Sequence, residues 1–356
     1  MKSRLKQIRK ILASRRINLL LISNPFNVRY LTGFTGSTGF CLIGQNVAIF
    51  FSDFRYRTQY EKQVDKSFRF VEGNNYFDLI VREVKVRGFK RLFFEDESLN
   101  YRNFNLMRKK LGKINFHAST GIVDSMRIIK DKKEISFIKK AAFVNSKALS
   151  ELVPEIKSGV SEIDLSIFLE SSMKKYGSER NAFDTIVASG VRSSLPHGLA
   201  SAKKINKGNL ITIDFGSVVN GYHADTTRVF SCGKPSKKSR KIYDIVLRAQ
   251  KAAIEKVAPG VKCREVDAVA REIIQKEGYG EYFGHGTGHG LGLFIHEAPR
   301  IAPNQNAVLQ PNMILTIEPG IYLQGWGGVR IEDMILVTEQ GKEIITSDIS
   351  KELIVC

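Results

Sequence analysis

Apolar and polar positions change period along the chain. Near residues 2–15 the apolar positions of KSRLKQIRKILAS recur at helical spacing among cations, which predicts a basic amphipathic helix, and Ile17–Ile22 follows as an apolar strand. Asn24-Pro25-Phe26 reads as a loop, and strand-like runs recur at Gly39–Ile43, Asn46–Phe51 and Arg91–Glu95. This describes a mixed α/β unit over residues 1–122. A new pattern begins after Met126-Arg127-Ile128-Ile129-Lys130. Asp131 with Glu134 three residues on is a capping-box start, and Ile135, Ile138, Ala142, Leu149 and Leu152 keep a helical stripe. Further helices are predicted over Ser161–Tyr176 with Gly177 as stop, Lys237–Val257 before Pro259-Gly260, and Arg264–Glu277 before Gly278. Strand-like runs lie between and after them, so residues 130–356 read as an α+β domain.

Two of those runs carry chemistry. Asn209–Gly216 and Gly221–Ser231 are joined through Asn220-Gly221, the dipeptide that favours a type I′ hairpin turn. With Asn220 and Gly221 central, Val219 opposes Tyr222, and Gly216 then opposes Asp225. Side chains alternate faces with period two, so Asp214 and Asp225 point to one face of the ribbon. A bulge would flip one of them.

Three more candidates lie further on. Phe283-Gly284-His285-Gly286-Thr287-Gly288-His289-Gly290 followed by His296-Glu297-Ala298-Pro299 is the densest histidine cluster, and five of the six histidines fall between residues 197 and 296. No GxxxxGK[ST] or GxGxxG occurs, which argues against a phosphate loop. Glu318 ends the alternating run Met313–Ile317, and Glu332 sits in Val329-Arg330-Ile331-Glu332-Asp333. Glutamates in core strands need partners, because an unpaired buried charge is costly. Asp214, Asp225, His289, Glu318 and Glu332 together are an oxygen-rich set that fits two divalent cations, with Arg330 as a nearby partner. The competing reading is a pair of buried salt bridges.

Composition narrows the classes. With 43% apolar and 26% charged residues the chain is an ordinary globular protein of two-domain length. Its N-terminus has neither a signal-peptide core nor a membrane span, which points to the cytoplasm. The four cysteines form no CxxC, so zinc ribbons, redox motifs and a disulfide framework are disfavoured. Of the net charge of +19, residues 1–130 hold most, with 25 Lys and Arg against 10 Asp and Glu. Such a surface can bind nucleic acid, but no recognition motif accompanies it and a solvated basic face is the preferred reading.

The motifs IDFG, HADTTR, GHGTGHGLGL, IHEAP, IEPG and RIED, in this order, resemble those of the pita-bread metallopeptidases, which include methionine aminopeptidase, aminopeptidase P and prolidase. The resemblance spans nearly the whole chain. It implies a pita-bread catalytic domain after a creatinase-like N-terminal α/β domain, the latter carrying SNPFNVRYLTGFTGS. It also implies that Asp214, Asp225, His289, Glu318 and Glu332 hold two metal ions, Mn(II) first and Co(II), Fe(II) or Zn(II) as alternatives. Asp225 and Glu332 would bridge the metals. His197 and His296 would contact substrate, and Glu318 would shuttle a proton. His285 and Arg330 favour the proline-specific members, so the leading expectation is an Xaa-Pro aminopeptidase acting on peptides with proline second, as a homodimer. Xaa-Pro dipeptidase and methionine aminopeptidase are the enzyme alternatives, and a basic binding protein on the same fold is the non-enzyme one. Phe294 departs from the pattern, since many relatives are acidic there, which affects the substrate pocket and not the metal set.

Overall fold

The computed structural model describes residues 2–356, and its contacts divide after Arg127 into two units. Among the described residues, the first unit is built on a six-stranded mixed sheet in the order Arg69–Glu72, Ala48–Ser52, Phe40–Gly44, Leu19–Ile22, Arg91–Glu95, Asn115–Ser119. Helices Lys2–Ser14, Tyr76–Val86 and Tyr101–Leu111 accompany it, and Leu19, Leu21, Ile49, Phe51, Ile80 and Leu92 belong to its core. Asn24-Pro25-Phe26 is not the loop that its composition predicts but the start of helix Pro25–Thr32. The Asn24 side chain accepts from the Phe26 N–H and Pro25 takes the first helical turn, where its missing N–H costs nothing.

At the end of strand Arg91–Glu95 the buried Glu95 carboxylate accepts from the Ser23 and Asn24 N–H groups and from Asn27 Nδ2, each at 2.7 Å. Burial, aided by the Asp124 charge, raises its pKa to about 7 against hydrogen bonds that favour the ionised form. The native state therefore keeps a proton that the unfolded chain has lost, and stability falls as pH rises from about 4.5 to 7. The expected loss is on the order of 3 kcal/mol. Urea unfolding at pH 5 and pH 8 checks it: Glu95→Gln should flatten this slope relative to wild type, and equal slopes would refute the assignment.

The second unit places helices in two packed pairs. Lys132–Leu152 packs on Glu162–Lys175, and Lys237–Lys256 on Cys263–Lys276. Both expected helix starts of the first pair are capping boxes, Asp131 with Glu134 and Ser161 with Asp164. Among the described residues each pair covers one sheet. The first covers a four-stranded sheet ordered Ile354–Val355, Thr226–Ser231, Leu210–Phe215, Ile186–Ser189, where Leu149, Leu169, Ile211 and Phe230 pack together. The second covers a five-stranded sheet ordered Glu297–Ile301, Gly288–Gly290, Ile314–Ile317, Asp333–Thr338, Gly341–Ile344, where Val246, Val266, Leu315 and Ile335 pack together. The unit is α+β, as expected. Among the described residues no helix is long and apolar enough to cross a membrane. The four cysteines are free, with Cys41, Cys232 and Cys263 buried.

Candidate metal centre and active site

The hairpin holds its expected register through an interruption. Val219 pairs with Tyr222, the ladder breaks around Gly216 and Asp225, and it resumes with Phe215 opposite Thr226 and Asp214 opposite Thr227. No residue is inserted, because Ala224 N–H still donates to Ser217 O. Asn220 and Gly221 both have positive φ, 50° and 75°, as a type I′ turn requires. Asp225, Thr227 and Asp214 consequently share a face.

The second sheet supplies the rest. The strand Gly288–Gly290 runs between two neighbours at a separation that only glycine tolerates. A Cβ on Gly288 would lie 1.9 Å from Thr316 O, and one on Gly290 2.3 Å from Ala298 O. The glycines therefore serve close backbone approach, which leaves His289 as the side chain presented between them. Glu318 follows strand Ile314–Ile317, its N–H donating to Thr287 O at 2.7 Å, and Thr316 Oγ1 donates to its carboxylate at 3.2 Å. Glu332 is tied back to the first sheet, its N–H donating to Thr227 O at 3.2 Å and its carboxylate accepting from Thr227 Oγ1 at 2.7 Å.

All nine residues singled out from the sequence line one cavity of about 1040 Å³: Asp214, Asp225, His289, Glu318, Glu332, His197, His285, His296 and Arg330. Ligand atoms of Asp225, His289 and Glu332 lie within 4.8 Å of one another. His289 Nε2 is 3.4 Å from Glu318 Oε1 and 3.6 Å from Asp225 Oδ2. Asp214 pairs with Arg330 at 2.6 Å.

Three observations show that this donor set fits a cation. Asp214 Oδ1 and Glu332 Oε1 are buried and have no hydrogen-bond partner among the described residues. The carboxylates of Asp214, Asp225, Glu318 and Glu332 line the cavity together with the buried Arg330. Burial first, then the neighbouring carboxylates, raises the pKa of Asp225 and Glu332 well above the usual range, and burial raises that of Glu318. Finally, His289 is held neutral by burial and its Nδ1 faces Gly290 O at 3.0 Å. With Nδ1–H donating there, the Nε2 lone pair points at carboxylate oxygens, an arrangement that a bridging cation makes favourable.

Comparisons with known proteins give the family of the chain. Residues 136–339 match metallopeptidase family M24, and residues 4–129 match the creatinase/prolidase N-terminal domain. The chain belongs to metallopeptidase family M24. The family is one of divalent-metal enzymes, and its pita-bread catalytic fold behind a creatinase-like domain is the one expected. An Xaa-Pro dipeptidase from Bacillus anthracis matches with TM-score 0.97 at 42% identity, covering 100% of this chain and 99% of that one. An X-Pro aminopeptidase from Thermotoga maritima MSB8 matches with TM-score 0.91 at 38% identity, covering 99% of each. The Xaa-Pro dipeptidase of Pyrococcus furiosus is 39% identical over 348 residues, 97% of this chain and 98% of that one.

The cavity of this M24 chain also contains residues that sequence reasoning missed. The Tyr322 hydroxyl lies 2.9 Å from both His285 Nε2 and Arg330 Nη1. Arg330 can only donate, and His285 Nδ1 faces Gly286 O at 2.7 Å, so Tyr322 donates to Nε2. Burial keeps His285 neutral in that role. Arg300 lines the cavity opposite His289 in the ladder, is exposed, and makes no ion pair or hydrogen bond among the described residues. His296 is pushed down to about 4 by burial and then by His289 and Arg300. Phe183, Ile186 and Leu199 give the cavity an apolar wall. Phe294 is exposed, its ring edge-on to His296 at 6.4 Å. Tyr322 had one local signal, its place in an alternating strand just after Glu318-Pro319; Arg300 had none.

Proposed function

We propose that this chain hydrolyses the Xaa-Pro bond of dipeptides, an Xaa-Pro dipeptidase reading that replaces the aminopeptidase expected from sequence. The observation that carries it is Arg300. A dipeptide presents a free carboxylate one residue beyond the scissile bond, and an unpaired guanidinium at the cavity wall is the group suited to hold it. The Bacillus anthracis and Pyrococcus furiosus relatives, both named Xaa-Pro dipeptidases, support the same choice. The aminopeptidase is the second reading, favoured by the Thermotoga maritima relative and by a cavity roomy enough for a longer peptide.

Asp214, Asp225, His289, Glu318 and Glu332 would hold two divalent cations, of which Mn(II) suits the oxygen-rich set best. Bound there, they supply Lewis-acid charge and lower the pKa of water at the site towards neutrality. The chain's own groups do the rest. Glu318, with its raised pKa and its Thr316 hydrogen bond, accepts a proton from the attacking water and returns it to the proline nitrogen. His296 and His197, which both line the cavity, donate to the scissile carbonyl and steady the developing oxyanion. The apolar wall of Phe183, Ile186 and Leu199 takes the first residue's side chain.

Arg300→Gln tests the reading with Mn(II)-loaded protein. The KM for Ala-Pro should rise about 10- to 100-fold, as loss of a charge-assisted hydrogen bond predicts, with kcat changed less than about threefold. Ala-Pro-amide, lacking the carboxylate, should respond to neither. Efficient turnover of Ala-Pro-Ala by wild type would shift the assignment to the aminopeptidase.

A further inference from the structure

Outside the cavity, helix Cys263–Lys276 carries a charged pair that the proposed chemistry does not use. Asp267 is 1% exposed and meets Arg271, one turn on, through two parallel hydrogen bonds of 2.9 Å. Both members then reach the glycine-rich segment. Arg271 donates to Phe283 O at 2.9 Å and to His285 O at 2.8 Å, and its guanidinium lies 4.3 Å from the Phe283 ring centroid. Asp267 Oδ1 accepts from Thr287 N–H at 3.1 Å and from Thr287 Oγ1 at 2.8 Å. The pair thus fixes residues 283, 285 and 287 in succession, and Thr287 O in turn receives the Glu318 N–H.

This segment needs such fixing. Gly284 has open space where a Cβ would stand, so no packing on that side restrains it, and glycine backbone carries the largest entropy to lose. Yet the segment delivers His285 and His289, whose rings must be placed to within a fraction of an ångström if they are to act on a cation or substrate. Asp267 is buried while the Arg271 side chain keeps 28% of its exposure, and an ion pair so placed adds little net stability. Its distinct contribution is directional: four hydrogen bonds that define one backbone path.

We propose that Asp267 and Arg271 are positioning residues that set the conformation of segment 283–289, and through it the affinity of the metal centre; this rests on the metal-site reading above. The test compares Asp267→Asn, the milder Thr287→Val, and His289→Ala as a control. Each is assayed for Mn(II) affinity by calorimetry, for hydrogen–deuterium exchange of the metal-free full chain, and for its urea midpoint. Both positioning variants should weaken Mn(II) binding on the order of 10- to 100-fold, as loss of supporting contacts around a metal ligand does. Exchange should rise in 283–290 and not across the rest of residues 128–356. Wild-type affinity and exchange in both variants would overturn the proposal, as would a rise spread evenly over the unit, which marks a merely structural role. If His289→Ala binds Mn(II) like wild type, the metal-site reading itself fails, and the exchange data still decide whether the pair holds the segment.

Discussion

Asp225→Asn is expected to abolish Ala-Pro hydrolysis, lowering kcat by about 10³-fold or more, while raising the stability of the metal-free protein. Both effects come from one charge. Asp225 is 5% exposed and shares a 4.8 Å ligand cluster with His289 and Glu332. Asparagine keeps its shape but supplies neither the negative charge nor the second equivalent oxygen that a shared cation needs. Removing one preorganised electrostatic group from an active site costs ~10²–10³ in rate, and here the cations' seat goes with it. In the metal-free chain the same carboxylate is a burden, since burial and the charges of Asp214 and Glu318 oppose its ionisation. Replacing such a carboxylate with a neutral isostere removes that opposition and so stabilises the metal-free chain. Elemental analysis for bound metal, steady-state turnover and urea unfolding in chelator check these effects. Near-wild-type turnover would remove Asp225 from the site; lost turnover with lowered metal-free stability would mean that the residue is chiefly structural.

What the sequence disclosed and what it concealed differ in the range of the interaction involved. Asn220-Gly221 set a turn, the turn set a register, and period two put Asp214 and Asp225 on one face without any knowledge of the rest of the chain. The capping box at Asp131 was legible for the same reason, with both partners inside four residues. Helix Tyr101–Leu111 left little trace because only Met107 and Leu111 of its residues are buried, too few to draw a stripe. Asn24-Pro25 misled because the pair serves a turn and a helix start equally well, and the packing of the next residues decides between them. The supporting residues were beyond reach. Asp267 meets Thr287 from another element, Arg330 meets Asp214 across 116 positions, and Arg300 is marked by lacking a partner among the described residues, which no sequence pattern records.

Arg330 leads to the second large effect, one of stability governed by metal. The residue is 4% exposed, and four of its five N–H donors are spent on the site: on Asp214 Oδ2 at 2.6 Å, Tyr322 hydroxyl at 2.9 Å, Pro196 O at 3.1 Å and Thr227 Oγ1 at 3.2 Å. Burial alone would discourage its charge, but Tyr322, Asp214 and Glu318 hold its pKa well above the ordinary value. Arg330→Met preserves much of the side-chain volume and leaves Asp214 buried without a counter-charge. In chelator this should destabilise the protein by about 3–5 kcal/mol, the range found when one member of a buried pair is removed. Saturating Mn(II) should recover most of that loss, because a ligand bound only by the native state stabilises it in proportion to the logarithm of its concentration over Kd, and cations among the carboxylates replace the missing positive charge. The measurement is urea unfolding of wild type and Arg330→Met with chelator and with Mn(II). A variant penalty that is the same in both media would show that Arg330 supports the fold independently of the carboxylates. A penalty confined to the metal-free protein would mean that arginine and cation neutralise the same charges, so that Arg330 keeps the empty site folded until a cation arrives.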